Sequence, residues 1–173
     1  LSYNIKYSDM LKGAVDSISS AMSALIILLL IGSLAGTWMM SGIVPSMIYF
    51  GLKLLSPSIF LVAACIICSI VSLATGSSWS TIATIGIAML GIGNALGIPE
   101  GLTGGAIISG SYFGDKMSPL SDTTNLAPAM AGTDLISHIK YMMLTTIPSI
   151  TITLIIFLII GLNLDTQVGQ LNQ

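Results

Sequence analysis

The sequence predicts an all-α membrane protein made of polytopic transmembrane helices, with one re-entrant hairpin and one discontinuous helix. Of its 173 residues, 54% are hydrophobic and only 7% charged, against roughly 25% charged residues in a soluble domain. No Asp, Glu, Lys or Arg lies between Asp16 and Lys53, between Lys53 and Glu100, or between Lys140 and Asp165. Each of those gaps can hold the roughly 20 helical residues that cross a bilayer. Runs such as "ALIILLLIGSLAG" and "SITITLIIFLIIGL" are continuously apolar, whereas β-barrel strands alternate over about ten residues.

The elements follow in chain order. Residues 1–17 set Lys6, Asp9, Lys12 and Asp16 against Ile5, Met10, Leu11 and Val15, the pattern of an interfacial amphipathic segment. The first span covers about 18–36 and ends on Gly32 and Gly36, a small-xxx-small pair suited to close helix contact in lipid. The stretch "GTWMMSGIVPSMIYFGLKLLSP" is interrupted by Gly42 and Pro45, so that residues 43–55 read as part of a broken or hairpin-like segment, with Trp38 and Tyr49 as interface markers. Residues 58–97 carry no charge and are twice too long for one crossing at about 1.5 Å per residue. They must turn, and the only turn signal is "TGSSWST" at 75–81. The arms are then 58–75 and 81–97, joined either as two crossings or as a re-entrant hairpin whose tip stops inside the membrane.

Pro99 and Glu100 open a helix that we end at residue 113, roughly 20 Å long and short of a crossing. Residues 125–131 resume it. Thr133 and Asp134 cap a final helix over 134–162, kinked at Pro148, before a polar tail at 165–173. Thr and Ser residues in "TTIPSITIT" bond to the backbone one turn earlier. The chain lacks an initiator Met and shows no signal peptide pattern, and we expect it to be a piece of a longer protein. Lys6 and Lys12 point to a cytoplasmic start.

Several function classes fall away. A net charge of −2 with five Lys and no Arg leaves no basic patch for nucleic acid. Cys65 and Cys68 sit inside "FLVAACIICSIVSLA", where they read as soft core residues of a lipid-buried helix rather than a redox or metal pair. No cofactor is expected.

The chemistry concentrates in "YFGDKMSPLSDTTNLAP" at 112–128. If the helix stops at residue 113, then "GDKMSPLSDTTN" lies at membrane depth, where a central Asp or Lys costs roughly 2.5–3.5 kcal/mol. Gly114 and Pro119 account for the break. A small hard cation seeks carboxylate, hydroxyl, amide and backbone oxygens. Asp115, Asp122, Ser118, Ser121, Thr123, Thr124, Asn125 and the unwound backbone supply them. Broken helices of this kind form the sites of secondary transporters. The hairpin tip, through Ser77, Ser78 and Thr81, faces the same site from the other side. A plain extramembrane loop with solvated charges is the alternative.

At "SLATGSSWSTIATIGIA", at "GAIISGSYFGDKMSPLSDTTNLAPAMAGTDLISHIKYMMLTTIPS" and at "GTWMMSGIVPSMIYFGLKLLSPS" the chain resembles the NhaC family of Na⁺/H⁺ antiporters, which includes sodium-lactate/malate antiporters. The resemblance implies an ion-transporter-type fold of two inverted repeats, of which this chain supplies the second. Its partners would be the lipid bilayer, the missing amino-terminal half and a second copy in a homodimer, in the cell membrane. The expected activity is Na⁺/H⁺ exchange, with Na⁺ at Asp122 and Asp115 as the second candidate or a charge partner of Lys116. The same residues leave open a sodium-coupled malate or lactate antiporter, an ion channel, and an intramembrane aspartyl protease built on "YFGD". His138 reads as interfacial, with a pH-sensing role as the alternative.

Overall fold

The computed structural model describes residues 6–171, which form helices α1–α8 and one π-helical segment, with no strand among the described residues. Helix α1 (Tyr7–Met40) and α2 (Ile43–Leu54) meet at Ser41 and Gly42, where the chain bends by 68°. Gly42 makes the bend: its φ of +82° is left-handed, and nothing crowds it. Pro45 lies in the first turn of α2, where a missing N–H costs no helical bond. The interfacial segment expected at 1–17 and the first span expected at 18–36 are therefore one helix from Tyr7 onward. Residues 1–5 of that segment lie outside the described residues. Lys12 and Asp16 only colour the helix, since a scattered charge does not break backbone bonding.

Helix α3 (Pro57–Thr75) is the centre of the molecule. Pro57 occupies its first turn, and Gly76 ends it at φ +71°, donating its N–H to Ser72 O at 2.8 Å. Phe60, Leu61, Ala64, Cys65 and Cys68 are wholly buried between α6 and α8. After Gly76 the chain re-enters helix at once through α4 (Ser78–Thr81), a π-helical segment (Ile82–Gly86) and α5 (Ile87–Ala95). The single arm expected at 81–97 thus begins earlier and widens within its first half. The widened stretch, "IATIG", is rich in β-branched residues and ends in Gly, a composition with weak α-helical preference. Helix α5 packs on α2 and α6 rather than along α3.

Helix α6 spans Glu100–Met117, α7 Asp122–Ala131 and α8 Leu135–Leu171. Ending α6 at residue 113 was an error of four residues that matters, because its 18 residues reach about 27 Å. That length approaches the ~30 Å hydrocarbon core. Gly114 does not break the helix; it lets α3 approach. A Cβ there would lie 2.6 Å from Leu73 N and 2.7 Å from Ser72 Cβ, and one at Gly110 would strike Cys65 O. The break is confined to residues 118–121, and α7 begins at Asp122 rather than at 125. Helix α8 runs through Pro148 and past residue 162 into the expected tail. Asp134 caps it by accepting from Ser137 N at 3.0 Å.

Among the described residues two helices, Pro57–Thr75 and Leu135–Leu164 within α8, are long and apolar enough to cross a membrane, and a third if the bent pair Leu29–Met40 and Ile43–Leu54 counts as one span. Along α8 the residues Ile152, Ile155, Ile156 and Ile159 are all exposed. In water such a surface would be a liability. The chain is an all-α membrane protein, and such a face suits an apolar surrounding.

Candidate functional site

The turn after α3 and the break after α6 touch. A Cβ on Gly76 would lie 2.6 Å from the carbonyl carbon of Leu120 and 2.8 Å from its oxygen. One step away, Ser118 Oγ donates to Leu73 O at 2.7 Å. Two interruptions far apart in sequence are thereby held as one unit.

Within the break, side chains supply what the backbone lost. Thr124 Oγ1 lies 3.2 Å from both Asp115 O and Lys116 O. Asn125 Nδ2 donates to Pro119 O at 2.8 Å and to Ser121 O at 2.7 Å. Ser121 Oγ accepts from Thr124 N at 3.4 Å and lies 3.0 Å from Thr123 Oγ1. Leu120 N donates to Ser118 Oγ at 3.2 Å. The expectation of free carbonyls around a cation therefore changes, since these four carbonyls already have donors. An unpaired backbone group in hydrocarbon costs several kcal/mol, and "SDTTN" is the patch that removes that cost. Thr124 and Ser121 are buried and committed to the break, while Asn125 keeps its carbonyl oxygen uncommitted.

Beside this unit lies a cavity of about 700 Å³ whose walls include Ser77, Ser78, Asp115, Lys116, Asp122, Thr123, Thr124 and His138. Of the tip residues, Ser78 points chemistry into it, donating to Asp115 Oδ2 at 2.9 Å. Ser77 caps α4 by accepting from Ser80 N at 3.2 Å, and Thr81 Oγ1 turns back to Ser77 O at 2.9 Å. Thr81 is buried away from the cavity. His138, read from sequence as interfacial, lines the cavity wall together with the carboxylates. Trp79, Tyr112 and Met142 also line it and were passed over. For Tyr112 a signal existed, because it precedes Asp115 by three residues on one helix face.

The two carboxylates differ. Asp115 is half-buried, and its Oδ1 is shielded from solvent without a hydrogen-bond partner. Asp122 is exposed at the first position of α7, and its Oδ1 accepts from Thr123 N at 2.8 Å. Among the described residues Lys116 forms no ion pair with either, and no hydrogen bond joins the two carboxylates. A shared proton between close carboxyl groups, as aspartic proteases use, is not built here.

Residues 110–172 match the Na⁺/H⁺ antiporter family. The chain is 50% identical to the malate-2H⁺/Na⁺-lactate antiporter of Bacillus subtilis, over 90% of this chain and 33% of that protein. It is 46% identical to the Na⁺/H⁺ antiporter NhaC of Alkalihalophilus pseudofirmus, over 96% of this chain and 36% of that protein. An uncharacterized Na⁺/H⁺ antiporter of Haemophilus influenzae is 45% identical, over 92% of this chain and 34% of that protein. No solved structure matches. Spanning about a third of the length of the curated relatives it matches, and alike to them along nearly all of its own, the chain belongs to the NhaC-type Na⁺/H⁺ antiporter family.

Proposed function

We propose that the complete protein exchanges Na⁺ for H⁺ across the cell membrane as a multi-pass secondary transporter, and that Asp115 is the carboxylate for which the two cations compete. The observation that carries this is the unfinished coordination of Asp115: Ser78 serves one oxygen, and the other is shielded and unserved. Leaving such an oxygen unpaired costs about 1–3 kcal/mol, more when it is charged. Asp115 also sits in the last turn of α6, the negative end of the helix dipole, which opposes its charge by about 0.3–1 kcal/mol. A proton or a sodium ion at Oδ1 removes both penalties, and one oxygen cannot hold both. Mutual exclusion at a single carboxylate is sufficient to couple their movements.

Asp122 has less need of a cation. It lies at the positive end of α7 and already accepts a backbone N–H, so its charge is stabilised where it stands. This reverses the order of the two aspartates suggested by sequence, where Asp122 led because oxygen-bearing residues follow it. The test is Na⁺-driven proton movement in membrane vesicles carrying the full-length protein. Asp115→Asn abolishes exchange, whereas Asp122→Asn retains it with altered sodium affinity. Full exchange in the Asp115→Asn protein overturns the assignment.

A second reading has its own support. Lys116 lines the cavity without an ion-pair partner among the described residues, and about 700 Å³ far exceeds the roughly 30 Å³ share of one water. A small organic acid would place its carboxylate at Lys116, in keeping with the malate and lactate in the name of one relative. Uptake of labelled malate and lactate by full-length wild type and Lys116→Ala decides this: transport lost only in the variant supports it, and no uptake by wild type removes it.

A further inference from the structure

Three buried polar side-chain atoms among the described residues have no hydrogen-bond partner: Thr103 Oγ1, Ser111 Oγ and Asp115 Oδ1. Buried polar atoms are satisfied in the great majority of cases, and an exception calls for a ligand, an ion or a role. All three lie on α6. Thr103 stands apart, two to three turns from the others and packed near Gly93 and Phe60 in the apolar core. Ser111 and Asp115 are one turn apart on a single face, a spacing that sets their Cβ atoms about 5–6 Å from each other.

That face is closed by α3. Between the two residues Gly114 admits the α3 backbone at Ser69 and Leu73, and Ser72 Oγ donates to the backbone carbonyl of Ser111. The serine backbone is thus served while its own hydroxyl, fully buried, is not. The Cys68 thiol lies beside it and interacts with it, a weak sulfur donor that leaves the hydroxyl without an oxygen or nitrogen partner. Ser111 does not line the open cavity, and Asp115 does, so the serine sits behind the wall that the aspartate forms part of.

We infer that Ser111 Oγ is a second protein oxygen on the cation held by Asp115, at an occluded position between α6 and α3. This rests on the assignment of Asp115 given above and adds to it a ligand and a place. A hard cation binds oxygens at about 2.3–2.6 Å, so two oxygens sharing one ion stand no more than about 5 Å apart. Side chains one turn apart on one face of a helix can meet that span. An ion there satisfies both orphaned oxygens at once. Because the hydroxyl is held by packing against α3, the distance between the two oxygens selects by ion size, and Ser111 sets the preference among alkali cations.

The test uses the full-length protein with Ser111→Ala, Asp115→Asn and Cys68→Ala, measuring proton exchange driven by Na⁺ and by Li⁺, and ²²Na⁺ binding to the purified protein. Ser111→Ala keeps the side-chain volume nearly unchanged and leaves the bond from Ser72 to the backbone intact. It is expected to raise the half-saturating Na⁺ concentration about tenfold or more, to weaken ²²Na⁺ binding in parallel, and to alter the Na⁺/Li⁺ ratio, while Cys68→Ala changes none of these. Wild-type sodium affinity and ion preference in Ser111→Ala, with Asp115→Asn inactive, overturn the role of Ser111 and leave Asp115 standing. An active Asp115→Asn protein overturns both. Equal effects of Cys68→Ala and Ser111→Ala overturn it too, by showing that the serine acts through its packing against the thiol.

Discussion

Gly76 offers the sharpest test of how the two interruptions are joined. Replacing it with Ala does two separable things. Its φ of +71° places the residue in left-handed space, where a side chain costs roughly 1–2 kcal/mol. The new Cβ would also stand 2.6 Å from the backbone carbon of Leu120 and 2.8 Å from its oxygen. Those are backbone atoms in a break already held by Ser118, Thr124 and Asn125, so the clash forces a shift costing a further 1–3 kcal/mol or so. Gly132→Ala is the matched control: φ is +67°, and nothing lies within 4 Å of the added carbon. The difference between the two variants isolates the contact. Thermal unfolding of the purified full-length protein should show Gly76→Ala lowering stability by about 1–3 kcal/mol more than Gly132→Ala. Because the shift also pulls Ser78 from Asp115, now 2.9 Å apart, sodium-dependent exchange should fall only in Gly76→Ala. Equal tolerance of the two substitutions would refute the contact between the tip and the break.

Three further outcomes follow from the same packing. Thr124→Val removes the hydroxyl that serves Asp115 O and Lys116 O and should cost about 1–3 kcal/mol in thermal stability, with Thr124→Ser close to wild type. Gly114→Ala drives a methyl into the α3 backbone, whereas Gly104 has open space. Yield of folded protein should therefore collapse in the first, while Gly104→Ala is tolerated or gains about 0.5–1 kcal/mol. Cys65 and Cys68 are fully buried in the centre of α3 and should resist a thiol-reactive maleimide until the protein unfolds; fast labelling in the native state would mean that α3 is not enclosed by α6 and α8.

Much of the fold was legible because it depends on short-range rules. The glycines at 42 and 76 stand at helix ends with positive φ, and each was flagged by a local composition shift or turn signal. Asp134 capping α8 was legible for the same reason. Where reading failed, a local symbol had a distant cause. Gly114 looks like a helix breaker in "YFGDKM", yet it is a contact surface for Ser69, Ser72 and Leu73 on α3. No rule limited to four residues in either direction can separate those meanings. Lys12 and Asp16 failed in the opposite sense, suggesting a boundary in a helix that continues.

The polar residues of the candidate site were visible as residue types, but their roles were not. "SDTTN" announces oxygen atoms without saying which are spent: Thr124 turns its hydroxyl and Asn125 its amide N–H groups toward backbone carbonyls of the break, which lowers the cost of the break in lipid. By itself, the amino-acid sequence determined the membrane character, the helical class and the glycine turns at 42 and 76, because hydropathy and glycine act on their own neighbourhood. Tertiary structure alone decided which carboxylate lacks a partner, since the hydroxyl serving Asp115 comes from Ser78, 37 positions away, and burial of its other oxygen depends on packing that brings distant helices into contact.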